Sequence, residues 1–451
     1  MDIQAVLIRI LNAINTYFTD NISLILLLGC GVYFTFKTRF VQVRCFGEGI
    51  RNTVSGLNKK NNHRNSSSFS ALATAVAAQI GVGNIVGASS AIITGGPGSI
   101  FWMWITAFFG MATVYAEAVA AQFTRRKMSN GNIAGGTVYY IKKAFKGKVG
   151  NIISKIFALA AICSLGFIGT AVQSNAVAKT VSSALGIPSA AIGALLLVLC
   201  GLVFLGGADR IVSVAEKMVP IMAAVFILIC MIIIFLRINY IPQTFSLIFK
   251  CAFKPSAVLG GGVGYTLKLA VSQGVKRGLF SNEAGMGSTP YAHAQAQVSD
   301  PHEQGVVAMI GVFIDTFVIL TLTAVVMISV FMSESGYLIN EGVNENNMMQ
   351  IAVSSVMGDI AGKTITSMAL FLFGYASILG WDLFGKINFE YLFGKKSTFL
   401  YYMTALVFVF VGACFKSELM WNLADFFNSV MIIPNAFALF ILRNQICNSK
   451  N

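Results

Sequence analysis

Two long apolar runs in this chain are interrupted by glycine, and that pattern restricts the fold more than any other feature. The first interruption lies in Thr74-Ala-Val-Ala-Ala-Gln-Ile-Gly-Val-Gly-Asn-Ile-Val-Gly87, where Gly81 and Gly83 stand just before Asn84. The second lies in Leu279-Phe-Ser-Asn-Glu-Ala-Gly-Met-Gly-Ser-Thr-Pro290, where Gly285, Gly287 and Pro290 stand beside Ser281, Asn282 and Ser288. In a bilayer every backbone amide and carbonyl must find a partner, so unwound chain survives only inside the protein or along a cavity. Glycine-broken segments at corresponding places in two halves of a chain are the sequence pattern of a transporter's central site. The pattern therefore points to a secondary transporter.

The membrane setting follows from composition. Of 451 residues, 56% are hydrophobic and 11% charged, and the mean hydropathy is +0.74. A soluble chain carries about 25% charged residues to cover its surface. Apolar periodicity and length predict an all-α polytopic membrane protein with about eleven transmembrane segments. They fall near 20–37, 70–94, 99–124, 152–183, 188–206, 212–237, 262–298, 305–333, 364–393, 398–415 and 420–443. The broken segments are the second and the seventh, so helix order suggests a five-plus-five inverted repeat preceded by one extra helix. On that division, 1–69 holds the extra helix and a basic loop, 70–237 and 262–443 are the two repeats, and 444–451 is a short tail.

Loop charge then orients the chain. The 37–64 loop carries Lys37, Arg39, Arg44, Arg51, Lys59, Lys60 and Arg64 against one acid, Glu48. The 125–148 loop carries Arg125, Arg126, Lys127, Lys142, Lys143, Lys146 and Lys148 and no acid, whereas 334–362 holds Glu334, Glu341, Glu345 and Asp359 and no base. The first two read as cytoplasmic and the third as external. Eleven crossings then put the N-terminus outside and the C-terminus in the cytoplasm, in a cell membrane. No cleavable leader is evident at the start of the sequence. The net charge of +14 is thus a matter of topology and attraction to anionic lipid, not of nucleic acid.

Other chemistries find little support. The eight cysteines are scattered without Cys-x-x-Cys spacing, and most lie in apolar runs where the thiol behaves as a small hydrophobe. His63, His293 and His302 are too few and too widely spaced along the chain to suggest a zinc centre. No Gly-x-x-x-x-Gly-Lys-Ser/Thr loop is present, so ATP-driven work is not indicated. A channel would need a continuous polar pore. An enzyme would need a convergent acid–base or metal constellation, and Glu117, Glu283, Asp315 and His293 show no such spacing.

Around the two breaks a family resemblance becomes specific. Gly81-Val-Gly-Asn-Ile-Val-Gly87 is followed by Gly95-Gly-Pro-Gly-Ser-Ile-Phe-Trp-Met-Trp104 and Gly110-Met-Ala-Thr-Val-Tyr-Ala-Glu117. Then come Gly278-Leu-Phe-Ser-Asn-Glu-Ala-Gly-Met-Gly-Ser-Thr-Pro-Tyr-Ala-His293, Trp421-Asn-Leu-Ala-Asp425 and Ile433-Pro-Asn435. In this order the chain resembles the alanine or glycine:cation symporter family over most of its length. The resemblance implies the inverted-repeat architecture first seen in a bacterial leucine transporter. It also implies coupled entry of sodium and a small neutral amino acid (alanine, glycine or serine), with sodium as the co-transported ion and no cofactor. A proton-coupled carrier, or an amino-acid sensor that does not transport, would use the same framework.

The residue types suit that chemistry. Half-helix N-termini present free amide hydrogens and the positive end of the helix dipole to a carboxylate. Gly81 and Gly83 allow a small anion close to the main chain. Unwound carbonyls with the Asn84 side-chain oxygen suit a hard cation. A cation beside the carboxylate couples the two ligands electrostatically. The substrate set on this reading is Gly81, Gly83, Asn84, Gly285 and Met286, joined on the strength of the resemblance by Gln173, Ser377 and Trp381. The cation set is Gly81, Asn84, Ser281 and Ser377. Gly87, Gly110 and Gly166 read as helix-packing positions. For Glu117, Glu283 and Asp315 the expectation is structural salt bridges, with Lys276 or Arg277 as partners, in preference to direct ion coupling. His293 reads as a helix–helix hydrogen bond.

The chain departs from the family pattern in three places. Gly135-Gly-Thr-Val-Tyr-Tyr-Ile141 lacks the usual proline. The usual Ser-Thr pair of the ninth segment is Ala376-Ser377, which removes one of two hydroxyls expected around sodium. Leu383-Phe-Gly-Lys386 replaces Tyr-Tyr-Gly-Glu, and Asp382 adds an acid beside Trp381, a group able to take a proton or pair with a cation.

Overall fold

Glycine and proline punctuate the helices where the sequence places them. Ser67 caps the start of Ser68–Gln79 by accepting from the Ser70 N–H. Gly186, at φ 70°, ends Thr170–Leu185 in the left-handed conformation. Asp300 accepts from the His302 N–H and Pro301 occupies the first helical position of Pro301–Val312. The computed structural model describes residues 3–57, 67–128, 133–254, 267–333, 336–337, 339 and 342–448. Lys59, Lys60, His63, Arg64, Glu334, Glu341 and the opening residues of the expected 262–298 segment lie outside the described residues.

Among the described residues, eight helices are long and apolar enough to cross a membrane. They are Val6–Lys37, Ser99–Thr124, Gly147–Leu185, Gly207–Leu236, Pro301–Val330, Asp359–Phe393, Lys395–Cys414 and Glu418–Cys447. Ser68–Gln79 and Val82–Gly95, bent by 56°, make a ninth crossing if taken together. The two remaining expected segments are shorter as helices. The 188–206 segment is Ser189–Phe204, and the 262–298 segment is Leu267–Asn282 followed by non-helical chain up to Pro290–His293; each of the longer pieces has 16 residues. The first crossing begins well before residue 20. Its early part, Ile3–Tyr17, packs on Ser417–Cys447, where Asn15 Nδ2 donates to the Asn422 carbonyl at 2.9 Å, and in the next stretch Thr19 meets the Ser429 hydroxyl at 2.9 Å.

Polarity is inverted relative to a water-soluble protein. Outward positions of Gly207–Leu236 expose Ile221, Val225, Leu228, Met231 and Phe235, as a lipid-facing surface requires. Polar side chains gather at the centre instead, on Ser68–Gln79, Thr170–Leu185, Leu267–Asn282 and Pro301–Val330. Three crossings contain π-helical stretches, Phe18–Ser23, Ile162–Gly169 and Phe313–Leu320. Such wide turns leave carbonyls partly free and often mark functional positions.

Small residues let the central helices touch. A Cβ on Gly380 would sit 2.9 Å from the Ala78 N and 3.0 Å from its Cα, so Asp359–Phe393 meets the first broken helix backbone to side. Gly110 faces Ala284 and Gly166 faces Tyr401 at 2.7 and 2.5 Å from a built Cβ, as packing positions should. Gly87 is different. Nothing lies within 4 Å of its built Cβ, so helix packing does not explain that glycine. Gly380→Val is expected to cost about 1–3 kcal/mol through overpacking, read as a lower melting temperature in detergent, whereas Gly87→Ala should melt at or above wild type.

Candidate functional site

The first break is a short piece of chain whose hydrogen bonds are supplied by its own Asn84 and by side chains from two other helices. The Ser68–Gln79 helix stops at Ile80, a single 3-10 turn occupies Val82–Asn84, and Val86–Gly95 resumes. The Gly81 N–H donates to Asn84 Oδ1 at 3.1 Å. The Val82 N–H donates to Gln173 Oε1 at 3.0 Å. Gln79 Nε2 donates to the Asn282 carbonyl at 2.8 Å, tying the first break to the second. These residues are fully or almost fully buried.

Ser377 projects from Asp359–Phe393 into the same place. Its Oγ lies 3.1, 3.2 and 3.3 Å from the carbonyl oxygens of Ala77, Ala78 and Ile80. All three contacts exceed the usual O–H···O length, and one hydroxyl proton cannot serve three acceptors. The result is four oxygens facing one another around a single proton, an environment that suits a hard cation. A Cβ on Gly81 would run into Ser377 Oγ and approach the Gln173 amide at 3.0 Å, so glycine is required there. Ala376 is buried and contributes no oxygen.

A second cluster lies on the other side of Asn84. Asn84 Nδ2 donates to Asp315 Oδ1 at 2.7 Å and to the Asp315 carbonyl at 3.1 Å. Ser281 Oγ donates to Asp315 Oδ2 at 2.9 Å, and Thr316 Oγ1 donates to the same oxygen at 2.8 Å. Asp315 and Thr316 sit in the π-helical stretch Phe313–Leu320. One carboxylate thus joins the first break to the start of the second through neutral donors. Gly83 lets them close up, since its built Cβ would be 3.1 Å from both Phe280 Cδ1 and Ser281 Cα.

The second break divides into two parts with different neighbours. Phe280 and Ser281 meet the first break. Gly285 and Gly287, at φ 86° and 75°, face away from it. Gly285 lies against Leu27 and Thr113, and Gly287 against Thr137 and Phe157. The expectation that both glycine pairs would line one pocket is therefore not met by Gly285 and Gly287. Met286 is buried in the same turn, its N–H donating to the Glu283 carbonyl at 3.2 Å. Trp381 Nε1 donates to Glu283 Oε1, and Ser288 Oγ donates to Glu283 Oε2. The Trp381 ring meets Phe280 edge-on with centroids 5.4 Å apart.

The acids are held differently from the sequence expectation. Glu117 Oε1 accepts from the Gly287 N–H at 3.0 Å and from Asn435 Nδ2 at 2.6 Å, and Asn435 Nδ2 also reaches the Gly285 carbonyl at 2.9 Å. Glu283 and Asp315 likewise bond to neutral donors. Arg277 pairs with Asp425 instead, at 3.7 Å, with its guanidinium 4.4 Å above the Trp421 ring. Neutral donors win because they satisfy a buried carboxylate without desolvating a second charge. His293 does make a hydrogen bond, its Nδ1 lying 2.8 Å from Gln304 Nε2.

Several contributors escaped the sequence reading. Thr316 and Gln79 gave no motif signal. Asn435 lies within a recognised motif, yet only the fold brings it to Glu117 and the Gly285 turn. Of the polar trio on the fourth segment, Gln173 alone serves the break. Ser174 Oγ donates to the Val409 carbonyl at 2.5 Å and Asn175 Nδ2 to the Gly412 carbonyl at 2.8 Å, which are ties between helices. Asp382 is buried, and neither of its carboxylate oxygens meets a hydrogen-bond donor among the described residues.

Comparison with known proteins gives the family and the fold. A sodium/alanine symporter, AgcS of Methanococcus maripaludis, is 37% identical over 441 residues, covering 97% of this chain and 95% of its own. A probable sodium/glutamine symporter, GlnT of Bacillus subtilis, is 36% identical over 445 residues, covering 98% and 90%. In fold the chain is similar to a mutant manganese transporter from Eremococcus coleocola, with a TM-score of 0.50 and 14% identity over 85% of this chain and 79% of that one. The model of the sodium:alanine symporter family matches residues 4–451. By sequence over essentially its whole described length, the chain belongs to the sodium:alanine symporter family.

Proposed function

We propose that this protein carries a small neutral amino acid, alanine, glycine or serine, into the cell together with sodium by alternating access. Membership of a sodium:alanine symporter family supports sodium-coupled amino-acid transport as the class of activity. The observation that carries the finer reading is the oxygen cluster of Ser377 with the Ala77, Ala78 and Ile80 carbonyls, at 3.1–3.3 Å, beside Gly81 and Asn84. It supplies a cation position next to unwound main chain able to receive a substrate carboxylate. Gln173 borders the same space, Trp381 stands one helical turn beyond Ser377 against Phe280, and Ser281 reaches Asn84 through Asp315. Gly285 and Met286 act at one remove, by holding the turn that fixes Glu283 under Trp381. In this reading residues 70–237 and 262–443 form the two inverted repeats among eleven segments, with the N-terminus outside and the C-terminus in the cytoplasm. The cell membrane is the site of action, and the basic loops face anionic lipid.

A second reading, coupling to protons, is favoured by one observation. The Asp382 carboxylate, adjacent to Trp381 and without a donor among the described residues, is an acid added beside the tryptophan. It is a proton-binding candidate that the sodium scheme does not use.

Purified protein in liposomes, given labelled alanine under an imposed sodium gradient with a proton gradient in parallel, decides between them. Sodium-driven accumulation, competed by glycine and not by glutamine, is the expected result. Accumulation with protons alone would transfer the coupling role to Asp382. Alanine binding without accumulation under either gradient would mean a sensor. In the same vesicles Ser377→Ala should raise the sodium concentration for half-maximal uptake by roughly tenfold, the loss of about 1.4 kcal/mol of ion binding. Asn84→Ala, which removes the bonds to Gly81 and Asp315, should reduce sodium-dependent uptake by at least about tenfold at unchanged surface expression. Wild-type uptake in Asn84→Ala would refute its assignment.

A further inference from the structure

Outside both breaks, three side chains of metal-binding type come together. Cys45 and Glu48 are one helical turn apart, where Val41–Arg44 gives way to Phe46–Leu57. His302 is the second residue of Pro301–Val312. One ligand atom from each lies within 4.8 Å of the other two. Counting histidines along the sequence argued against such a centre, but it is the fold that sets this one against a thiol and a carboxylate.

One edge of the cluster has the length that a coordination site needs. His302 Nε2 is 3.3 Å from Glu48 Oε1. That is long for a charge-assisted hydrogen bond, which closes to about 2.7–2.9 Å. It matches the edge of a tetrahedron, because bonds of about 2.0 Å to a central ion place two ligand atoms about 3.3 Å apart. The far side of the ring is already fixed. His302 Nδ1 lies 2.7 Å from Tyr115 Oη, the kind of outer contact that orients a metal-binding imidazole and directs its other nitrogen inward. The main chain is fixed too, with the His302 N–H donating to Asp300 Oδ1 at 2.9 Å. Cys45 and His302 are each 3% exposed, while the Glu48 side chain is 30% exposed and opens a route from solvent.

We propose that Cys45, Glu48 and His302 form a site for a divalent transition ion of the zinc class, with the fourth position open. A mixed sulfur, nitrogen and oxygen set in tetrahedral array selects zinc over calcium or magnesium, which take oxygen alone. Binding converts the Cys45 thiol to a metal-bound thiolate and releases its proton to water. The ion would join the basic connector after the first crossing to the Pro301–Val330 helix, which carries Asp315 and Thr316 farther along. The site stands independently of the transport reading.

Cobalt is the probe, since tetrahedral Co2+ absorbs in the visible and a Co2+–thiolate bond adds a charge-transfer band in the near ultraviolet. Purified full-length protein titrated with Co2+ should bind one ion per chain with both signatures, and excess Zn2+ should displace it. Cys45→Ser, a near-isosteric change that leaves the packing in place, should abolish the charge-transfer band. It should also weaken binding by at least about tenfold, the scale seen even for losses outside the ligand shell. His302→Gln should weaken binding as far, with size-exclusion elution confirming that the variant is folded. Cys414→Ser, at an exposed thiol on another helix, should leave the spectrum unchanged. A charge-transfer band that survives Cys45→Ser, or octahedral cobalt bands alone in the wild type, would overturn the proposal. Either result would leave Glu48–His302 as an ion pair beside a packed thiol.

Discussion

The architecture depends on satisfying a few main-chain groups in a place where water cannot do so. Between Gln79 and Val86 the helical ladder is broken and fully buried, and an unpaired amide or carbonyl there costs a few kcal/mol. Three side chains meet that demand, Asn84 on the same loop, Gln173 from Thr170–Leu185 and Ser377 from Asp359–Phe393, while Gln79 satisfies the Asn282 carbonyl of the second break. Each requires its parent helix close by. The small residues at the contacts serve that requirement: a Cβ on Gly81 would displace Ser377 or Gln173, one on Gly380 would push away the helix that bears Ser377, and one on Gly83 would push away Phe280 and Ser281 of the second break.

The same requirement explains why the break is suited to ligands. A loop satisfied by side chains, not by its own ladder, keeps hydrogen-bonding capacity that can be exchanged. The Ser377 hydroxyl faces three carbonyls and can satisfy one of them fully, so the remaining oxygens have more to gain from a cation than from the hydroxyl. Loss of the second hydroxyl at Ala376 leaves this trio of carbonyls intact, because they belong to the main chain of the first break. The carbonyls are thus a more durable part of the site than the side-chain hydroxyls around them.

Much of this was legible in the sequence, and the rest was hidden for a physical reason. Gly81, Gly83 and Asn84 announce a break because glycine has few other uses at the centre of an apolar run. Gly285 and Gly287 announce a break equally well, but not which way it turns. Their positive φ angles carry the chain away from the first loop, toward Glu117 and Asn435, and a local pattern cannot specify a distant neighbour. The partners of the buried acids were misjudged for a related reason. Charge complementarity in sequence suggested Lys276 or Arg277, whereas desolvation favours neutral donors, and those donors, Asn84, Ser288, Trp381 and Asn435, come from four separate segments. The convergence of Cys45, Glu48 and His302 was likewise beyond any spacing rule.

Asp315 shows how the two breaks are bound into one mechanical unit. Its carboxylate and carbonyl hold Asn84 on one side, and its carboxylate holds Ser281 on the other, so neither broken helix can move without the other or without giving up those bonds. Bonds from neutral donors are individually modest, about 1.5–3 kcal/mol when the acceptor is charged, and can be traded for contacts to an incoming ion or substrate. An ion pair with Arg277 in the same place would have been costly to open, since each separated charge must be left unpaired in a dry interior. Arg277 is placed instead against Asp425 and Trp421, on the side of Phe280 where aromatic rings cover the second break. The fold thus keeps the Arg277–Asp425 charge pair at the cover and its exchangeable bonds at the centre, the division of labour that a site opened and closed in every cycle requires.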